Sequence, residues 1–436
     1  MIVKPSGVEW IGDIPQEWEI SRIKYVSDFQ PTCDTSMLTN ESIVTYTPME
    51  YIKNGYYIKN DSPYGKLSSS LTQYCEGDIV MAKVTPCFEN GNIAIMTNLS
   101  SGIGMGSSEL FVFRAKRINV KYLFYWLRNT GFVNAACATM TGTGGLKRVS
   151  PYFVYNSVIC YPKKNEYQQR IVEFLDRKCA EIDSIISKTK ATIEQYKALK
   201  QSVITQAVTK GIRPDRPMKD SGIEWIGEIP QEWILVPFRH ILQERNEKNS
   251  PIKSTERLSL SIELGVTLYS EKTTNLDRFK DDFEQYKLTY PGDLVLNSMN
   301  MIVGATGVSE FFGCVSPVYY TFFDETRDHI TAKYCEYIFR SKTMLRVLYS
   351  LGKGIYAIVR GDDRVNTCRL KVSKEDLKSL LLPFPSEKEQ REIVEYIKHK
   401  TADIDVLISK KEKLLTELES YKKSVIYEYV TGKKEV

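Results

Sequence analysis

The sequence predicts an α+β protein with a pseudo-two-fold repeat, in which two similar α/β domains are separated by two long antiparallel coiled-coil helices. Three observations predict it: a duplicated opening motif, a duplicated helical close, and an apolar stripe of 3.5-residue period in both closing segments. At 436 residues the chain exceeds one compact core and suits two domains of about 100–200 residues each. Its 42% hydrophobic and 26% charged residues exclude a disordered or collagen-like polymer.

The repeat comes first because it sets the architecture. SGVEWIGDIPQEW, Ser6 to Trp18, returns as SGIEWIGEIPQEW, Ser221 to Trp233, with 11 of 13 positions identical. Each half closes on a second match, IVEFLDRKCAEIDSIISK from Ile171 and IVEYIKHKTADIDVLISK from Ile393. Gly77-Asp78 matches Gly292-Asp293, and Lys121-Tyr122 matches Lys333-Tyr334, so the fold of the middle is expected to persist. The loops differ: MAKVTPCFENGNIAI (81–95) stands where the second copy has LNSMNMIVGATGVSE (296–310). One mechanical task done twice, on two different targets, fits that pattern.

In order along the chain, residues 1–164 form the first domain, 165–210 a spacer helix, 211–220 a linker, 221–385 the second domain and 386–431 a second spacer helix. Short β-like runs (43–46, 78–83, 110–114, 294–296, 318–323), with one amphipathic helix per copy near 120–128 and 331–340, make each domain mixed. No Pro or Gly occurs from Asn165 to Lys210, which permits a helix of about 45 residues and about 65 Å. Its a and d positions include Val172, Leu175, Ile182, Ile186, Ile193 and Val203; those of the second helix include Val394, Ile397, Ile404, Ile408, Leu415, Leu418 and Val425. A stripe of that period is the coiled-coil pattern. The polar interruptions Lys200 and Lys422 coincide between copies, either fixing register or facing water. Connectivity requires the second helix to run back along the first if the stripes bury each other, which places the domains at opposite ends of a rod. The alternative is that each helix packs on its own domain. GIRPDRPMKDSG (211–222) reads as a hinge.

Charge and composition narrow the function. The formal charge of +5 is mild, but residues 101–150 hold seven basic residues and one acidic, and 330–370 eight and three. A polyanion partner suits two such regions, although solvated loop charge accounts for either one alone. Nine scattered cysteines without CxxC spacing argue against a disulfide framework or a cysteine zinc site. No apolar run approaches a membrane span and the first residues lack a secretory core, so the protein is expected in the cytoplasm. The chain has no GxxxxGK[ST], HExxH, GxSxG or Asn/Asp-Pro-Pro-Tyr/Phe motif, and its only histidines are His240, His329 and His399. It reads as a binder without catalysis or bound cofactor.

The paired SG(V/I)EWIG(D/E)IPQEW openings, GDIVMAKVTPCFENG at 77–91, TGTGGLKRVS at 141–150 and the helix starts EYQQRIVEFL and EQREIVEYI together resemble the specificity (S) subunits of type I restriction-modification systems, over nearly the whole chain. The resemblance implies two target-recognition domains, each reading half of a split double-stranded DNA site. It implies helices that hold the domains apart and bind two methyltransferase (M) subunits, with two restriction (R) subunits joining them. S-adenosylmethionine then belongs to the M subunits, and ATP and Mg to the R subunits; no membrane is involved.

Reading bases requires donors and acceptors at base edges, with Lys and Arg on phosphates. The candidates are Lys83, Thr85, Asn90, Thr141, Thr143, Lys147 and Arg148 in the first copy, and Asn297, Asn300, Lys353, Tyr356, Arg360 and Arg364 in the second. For each, capping a turn or facing water is the competing role. Trp10, Trp18, Trp225 and Trp233 are expected in the core or on a partner surface. A rival function remains open, an assembly scaffold with two protein-binding ends and no DNA contact.

Overall fold

The computed structural model describes residues 2–143, 145–272, 282–325, 328–355 and 369–436. It divides into two compact units, Met1–Lys190 with Lys413–Val436, and Ala191–Glu412. In the first unit an antiparallel sheet is ordered Ser27–Phe29, Leu110–Ala115, Ile79–Ala82, Ile93–Ile95. Every residue of Ile79–Ala82 is buried, since Ile79 and Met81 join one core while Val80 and Ala82 join another with Ile52 and Tyr74. Burial on both faces is why this segment is continuously apolar. A second sheet is ordered Asp61–Pro63, Ile43–Thr47, Ile103–Gly106, Thr72–Cys75. Helix Val120–Arg128 starts where Asn119 accepts the N–H groups of Lys121 and Tyr122, a side-chain N-cap.

The second unit keeps the first sheet's design, with strands ordered Gln243–Arg245, Tyr319–Phe323, Leu294–Asn297, Thr306–Val308, all antiparallel. Helix Ile330–Arg340 follows it. The divergence lies elsewhere: the first unit's other sheet gives way to separate pairs, Leu258–Ser261 with Gly265–Leu268 and Lys287–Thr289 with Gly313–Val315. The repeated Gly-Asp has a physical reason in both units. Gly77 and Gly292 turn the chain at φ +84° and +91°, a left-handed conformation that favours glycine. The following buried aspartate then meets an arginine, Asp78 with Arg114 at 2.8 Å and Asp293 with Arg245 at 2.6 Å.

The long helices run Asn165–Lys210 and Glu387–Val430. Val172, Leu175, Ile182, Ile193, Val394, Ile397, Ile404 and Val425 are buried, and Ile186, Val203, Ile408, Leu415 and Leu418 half-buried. Within the first unit, Phe174 meets Tyr429 with ring centroids 4.3 Å apart, and Lys422 bonds both oxygens of Asp183 at 2.6 and 2.7 Å. The segments are therefore antiparallel. Within the second unit Lys200 bonds both oxygens of Asp405, each at 2.7 Å. The two polar interruptions thus make the same contact, one in each unit. Such exposed pairs contribute only about 0–1 kcal/mol, so their physical content is register. Confinement of each helix to its own domain does not hold, because Ile171 to Cys179 share a core with Val425, Ile426 and Val430, and Ile204 to Val208 share one with Ile393 to Ile397.

The repeated motifs explain how each head receives both helices. The Tyr122 hydroxyl lies 2.9 Å from the carbonyls of Cys160 and Val430, and the Tyr334 hydroxyl lies 3.0 Å from that of Pro383 and 3.2 Å from that of Val208. Burial pushes both phenols well above their ordinary pKa, so they remain neutral donors. Gln168 donates to the Pro162 carbonyl at 2.8 Å and accepts the Asn119 N–H at 2.8 Å. Gln390 does the same work with the Pro385 carbonyl and the Thr331 hydroxyl, both at 3.0 Å.

Two expectations are corrected. Cys33 and Cys75 form a disulfide with Cα atoms 6.2 Å apart, joined because the chain after Ser27–Phe29 returns beside strand Thr72–Cys75; spacing alone conceals that proximity. Segment 211–222 is anchored and not a free hinge: Arg213 pairs with Glu392 at 2.7 Å, Arg216 with both Glu389 and Glu232, and Met218–Asp220 pairs with Glu228–Pro230. Trp233 is fully buried, its indole N–H on Glu389 at 3.0 Å, Trp18 is buried, and Trp10 and Trp225 are half-buried. No helix among the described residues is long and apolar enough to cross a membrane.

The paired tyrosines give a direct test. Tyr122→Phe and Tyr334→Phe are each expected to lower stability by about 1 kcal/mol, measured by urea unfolding of the full chain. Unchanged midpoints for both would show that these hydroxyls do not tie the helices.

Candidate nucleic-acid interface

In the first unit, strand Ile79–Ala82 delivers the chain into a loop at 83–91 that is stitched to the loop at 138–149. Val149 N–H donates to the Lys83 carbonyl at 2.9 Å and Thr85 N–H to the Lys147 carbonyl at 2.9 Å. The Thr85 hydroxyl accepts the Lys147 N–H at 2.9 Å and donates to the Gly145 carbonyl at 2.8 Å, while Thr141 and Arg148 bridge as β-partners. Gly142 makes the turn possible, since a Cβ there would stand 2.3 Å from the Leu146 carbonyl oxygen. The structure thus brings Lys83, Thr85, Thr141, Lys147 and Arg148 together. Thr143 is exposed in the same loop, and Asn90 is exposed at the far end of 83–91, its carbonyl accepting from the Asn54 amide at 3.3 Å.

The charge of this cluster is partly cancelled by Glu109, which the sequence reading did not single out. Arg148 reaches it at 2.7 Å and Lys83 at 3.6 Å. The hydrogen bond from Arg148, with Lys83 nearby, holds the Glu109 carboxyl below the usual range against its partial burial. Thr85 spends its hydroxyl on backbone and is a loop clamp as placed here. Lys147 and Thr143 project without such bonding among the described residues.

The second unit repeats the stitch. Val372 N–H donates to the Ser298 carbonyl at 3.0 Å, and Ser150 and Ser373, one residue beyond the paired valines, both cap short helices, Pro151–Asn156 and Lys374–Ser379. Asn297 ends the inner strand with only 8% exposure and accepts the Met299 N–H at 3.1 Å. Asn300 is exposed, its carbonyl accepting from Val303 and Ala305 N–H, each at 3.1 Å. Lys353 is exposed on strand Lys353–Ile355, 3.1 Å from Asp376 and opposite Lys371 of strand Arg369–Lys371. Tyr356, Arg360 and Arg364 lie outside the described residues. Lys371 was missed in the sequence; the signal was present, because LKRVS at 146–150 returns as RLKVS at 369–373, making Lys371 the counterpart of Arg148.

Each head therefore joins two segments by a backbone bond beside the same inner strand, with Lys83, Lys147 and Arg148 on the first and, among the described residues, Lys353 and Lys371 on the second. That defines a class: a duplicated protein of two compact units built on one plan. No protein-family model matches the chain. It is 32% identical over 167 residues to the type I restriction enzyme EcoAI specificity subunit of Escherichia coli, covering 37% of this chain and 28% of that protein. It is 26% identical over 197 residues to the EcoEI specificity subunit of the same species, covering 44% and 33%. These matches thus span less than two thirds of either relative's length. To the MjaVIII specificity subunit of Methanocaldococcus jannaschii it is 22% identical over 443 residues, covering 96% of this chain and 93% of that one. Among solved structures, a chain from a study of type I R-M complex assembly and conformational transition superposes with TM-score 0.70 at 16% identity, covering 96% and 98%. The HsdS subunit of Thermoanaerobacter tengcongensis gives TM-score 0.52 at 16% identity, covering 97% and 98%. The chain is thus similar in sequence to type I restriction enzyme specificity subunits and shares its fold, over nearly its whole length, with a solved HsdS subunit.

Because Glu109 holds two cations of the loop pair, Glu109→Gln is expected to strengthen DNA binding at low salt. It should also steepen the fall of log K with log salt by about one phosphate contact. Fluorescence anisotropy across a salt series reads both quantities, and an unchanged slope would remove Lys83 and Arg148 from the phosphate-facing set.

Proposed function

We propose that this chain is the DNA sequence-specificity subunit of a type I restriction-modification complex. Each head reads one half of an asymmetric bipartite site, and the long helices set the spacing and bind two M subunits. The observation that carries this reading is the repeated stitch, Lys83 to Val149 and Ser298 to Val372, which holds unlike basic loops on like strands. Phosphate contacts position a protein on DNA while base contacts specify sequence, so a common frame with different loops suits two different half-sites. Catalysis then rests with partners: S-adenosylmethionine on the M subunits supplies the methyl group for adenine N6, and ATP and Mg serve the R subunits.

Methylation mapping of DNA from cells carrying this protein with its M partner is expected to show one motif with two unlike halves around a fixed unread gap. A palindromic motif, or no modified motif, would sink the reading. Filter binding of the complex across a salt series is expected to show a steep decline; a flat response favours an assembly scaffold.

The helices provide a separate test. Four residues inserted in each helix at matched positions, between Asp183 and Lys200 and between Asp405 and Lys422, add about 6 Å. The unread gap should lengthen by about one or two base pairs at about 3.4 Å each. An unchanged gap would remove the helices as the ruler.

A further inference from the structure

The two heads treat one corresponding arginine in opposite ways. Helix Val120–Arg128 and helix Ile330–Arg340 align through Lys121-Tyr122 and Lys333-Tyr334, which sets Arg128 against Arg340 and Phe124 against Glu336. Arg340 is fully answered. Glu336, one helical turn earlier, pairs with it at 3.0 Å, and the carbonyls of Ile262 and Glu263 accept from it at 2.8 and 2.9 Å. In the first unit phenylalanine stands at the carboxylate's position.

Arg128 consequently has a ring where Arg340 has an anion. The Phe124 ring lies 4.8 Å from the guanidinium carbon, and Gly55, at φ +101°, brings backbone so near that a Cβ there would lie 3.4 Å from the arginine. Among the described residues its side chain bonds the Asn54 side-chain oxygen and forms no ion pair within 4.0 Å. Neighbouring acids are already engaged: Asp183 through both oxygens with Lys422, and Asp176 with Lys121 at 2.6 Å and the Tyr125 hydroxyl at 2.7 Å. Burial pushes the Arg128 pKa down from its ordinary value, although Asp183 nearby acts the other way.

That arginine lines a cleft of about 770 Å³ inside the first unit, within the size range of small-ligand sites. Lys190 and Lys423 line it too, both exposed, as do Asn54 and Asn90; Glu89 and Glu419 are the acids there not engaged by Lys422. We propose that this cleft is an oxyanion site for a phosphorylated small molecule, whose phosphate supplies Arg128 with the counter-charge that Glu336 supplies to Arg340. Guanidinium and phosphate match in geometry, and their charge-assisted bonds are among the stronger ones. Arg128, Lys190 and Lys423 outnumber Glu89 and Glu419 there, which leaves the cleft positive and suited to an anion.

Isothermal titration of the full chain with inorganic pyrophosphate tests this, with citrate as the carboxylate arm. Saturable binding at one site per chain is expected. Arg128→Gln should weaken it by about ten-fold or more, in line with loss of a charged hydrogen bond. Phe124→Glu, which imports the second head's own anion, should weaken it equally, whereas Lys147→Gln in the basic loop should leave it within about two-fold. If circular dichroism shows either buried-site variant unfolded, the exposed substitutions Lys190→Gln and Lys423→Gln carry the test, each expected to weaken binding about three-fold. Absence of binding by the unaltered chain, equal binding by all cleft variants, loss of binding in Lys147→Gln, or citrate binding as tightly as pyrophosphate would each overturn the proposal.

Discussion

Neither head closes its core with its own sequence neighbourhood alone, and that constraint governs the rest of the architecture. In the first unit the core needs Val425, Ile426 and Val430, far along the chain from the strands they cover. In the second it needs Ile204, Ala207 and Val208, which precede the second opening motif. A buried tyrosine hydroxyl at each junction donates to a carbonyl in the last turn of the incoming helix. Burying that phenol requires a partner for its O–H, so the helix end is fixed in position as well as in depth. The stitched loops of each head then stand on a sheet whose other face is already committed.

The same constraint explains which parts of the repeat stayed alike. Openings and helix starts carry the buried contacts: Gln168 and Gln390, each satisfied at both ends, and Trp18 and Trp233, both in the cores. The inner strands keep their order and their Gly-Asp turn, even though the arginine answering the aspartate comes from a different strand in each copy. Loops beyond the strands answer to no such demand. Apart from Gly142 and the Thr85 clamp, they hold their place by backbone hydrogen bonds, and this leaves the remaining side chains open to specialise.

Much of this was legible in the residues. Freedom from Pro and Gly set the first helix to within a residue, and the positions of the apolar period lie buried or half-buried on both. The lysines interrupting that stripe stood at corresponding places, but their partners did not show, because Asp183 and Asp405 sit on the polar side of the pattern and only antiparallel register brings them within reach. Local spacing likewise hid the Cys33–Cys75 bond. Among loop candidates, sequence found the residues that meet at 83–85 and 141–148 but not Glu109, which lies on the turn before the neighbouring strand. Asn297 is a candidate for its amide and lies buried, because strand Leu294–Asn297, buried along its whole length, continues one residue past the apolar run. Lys371 went unnoticed because the loop before it differs in length between copies, which moves the shared valine and serine out of the simple offset.

The discontinuity of the first unit has a consequence for synthesis. The second unit is one unbroken stretch, Ala191–Glu412, whereas the first must wait for Lys413–Val436. A chain made only as far as Glu412 holds every segment of the second unit, whereas its first unit stays open along the face that Val425, Ile426 and Val430 fill. Loss of Lys413–Val436 would spare every segment of the second unit and leave the first unsealed.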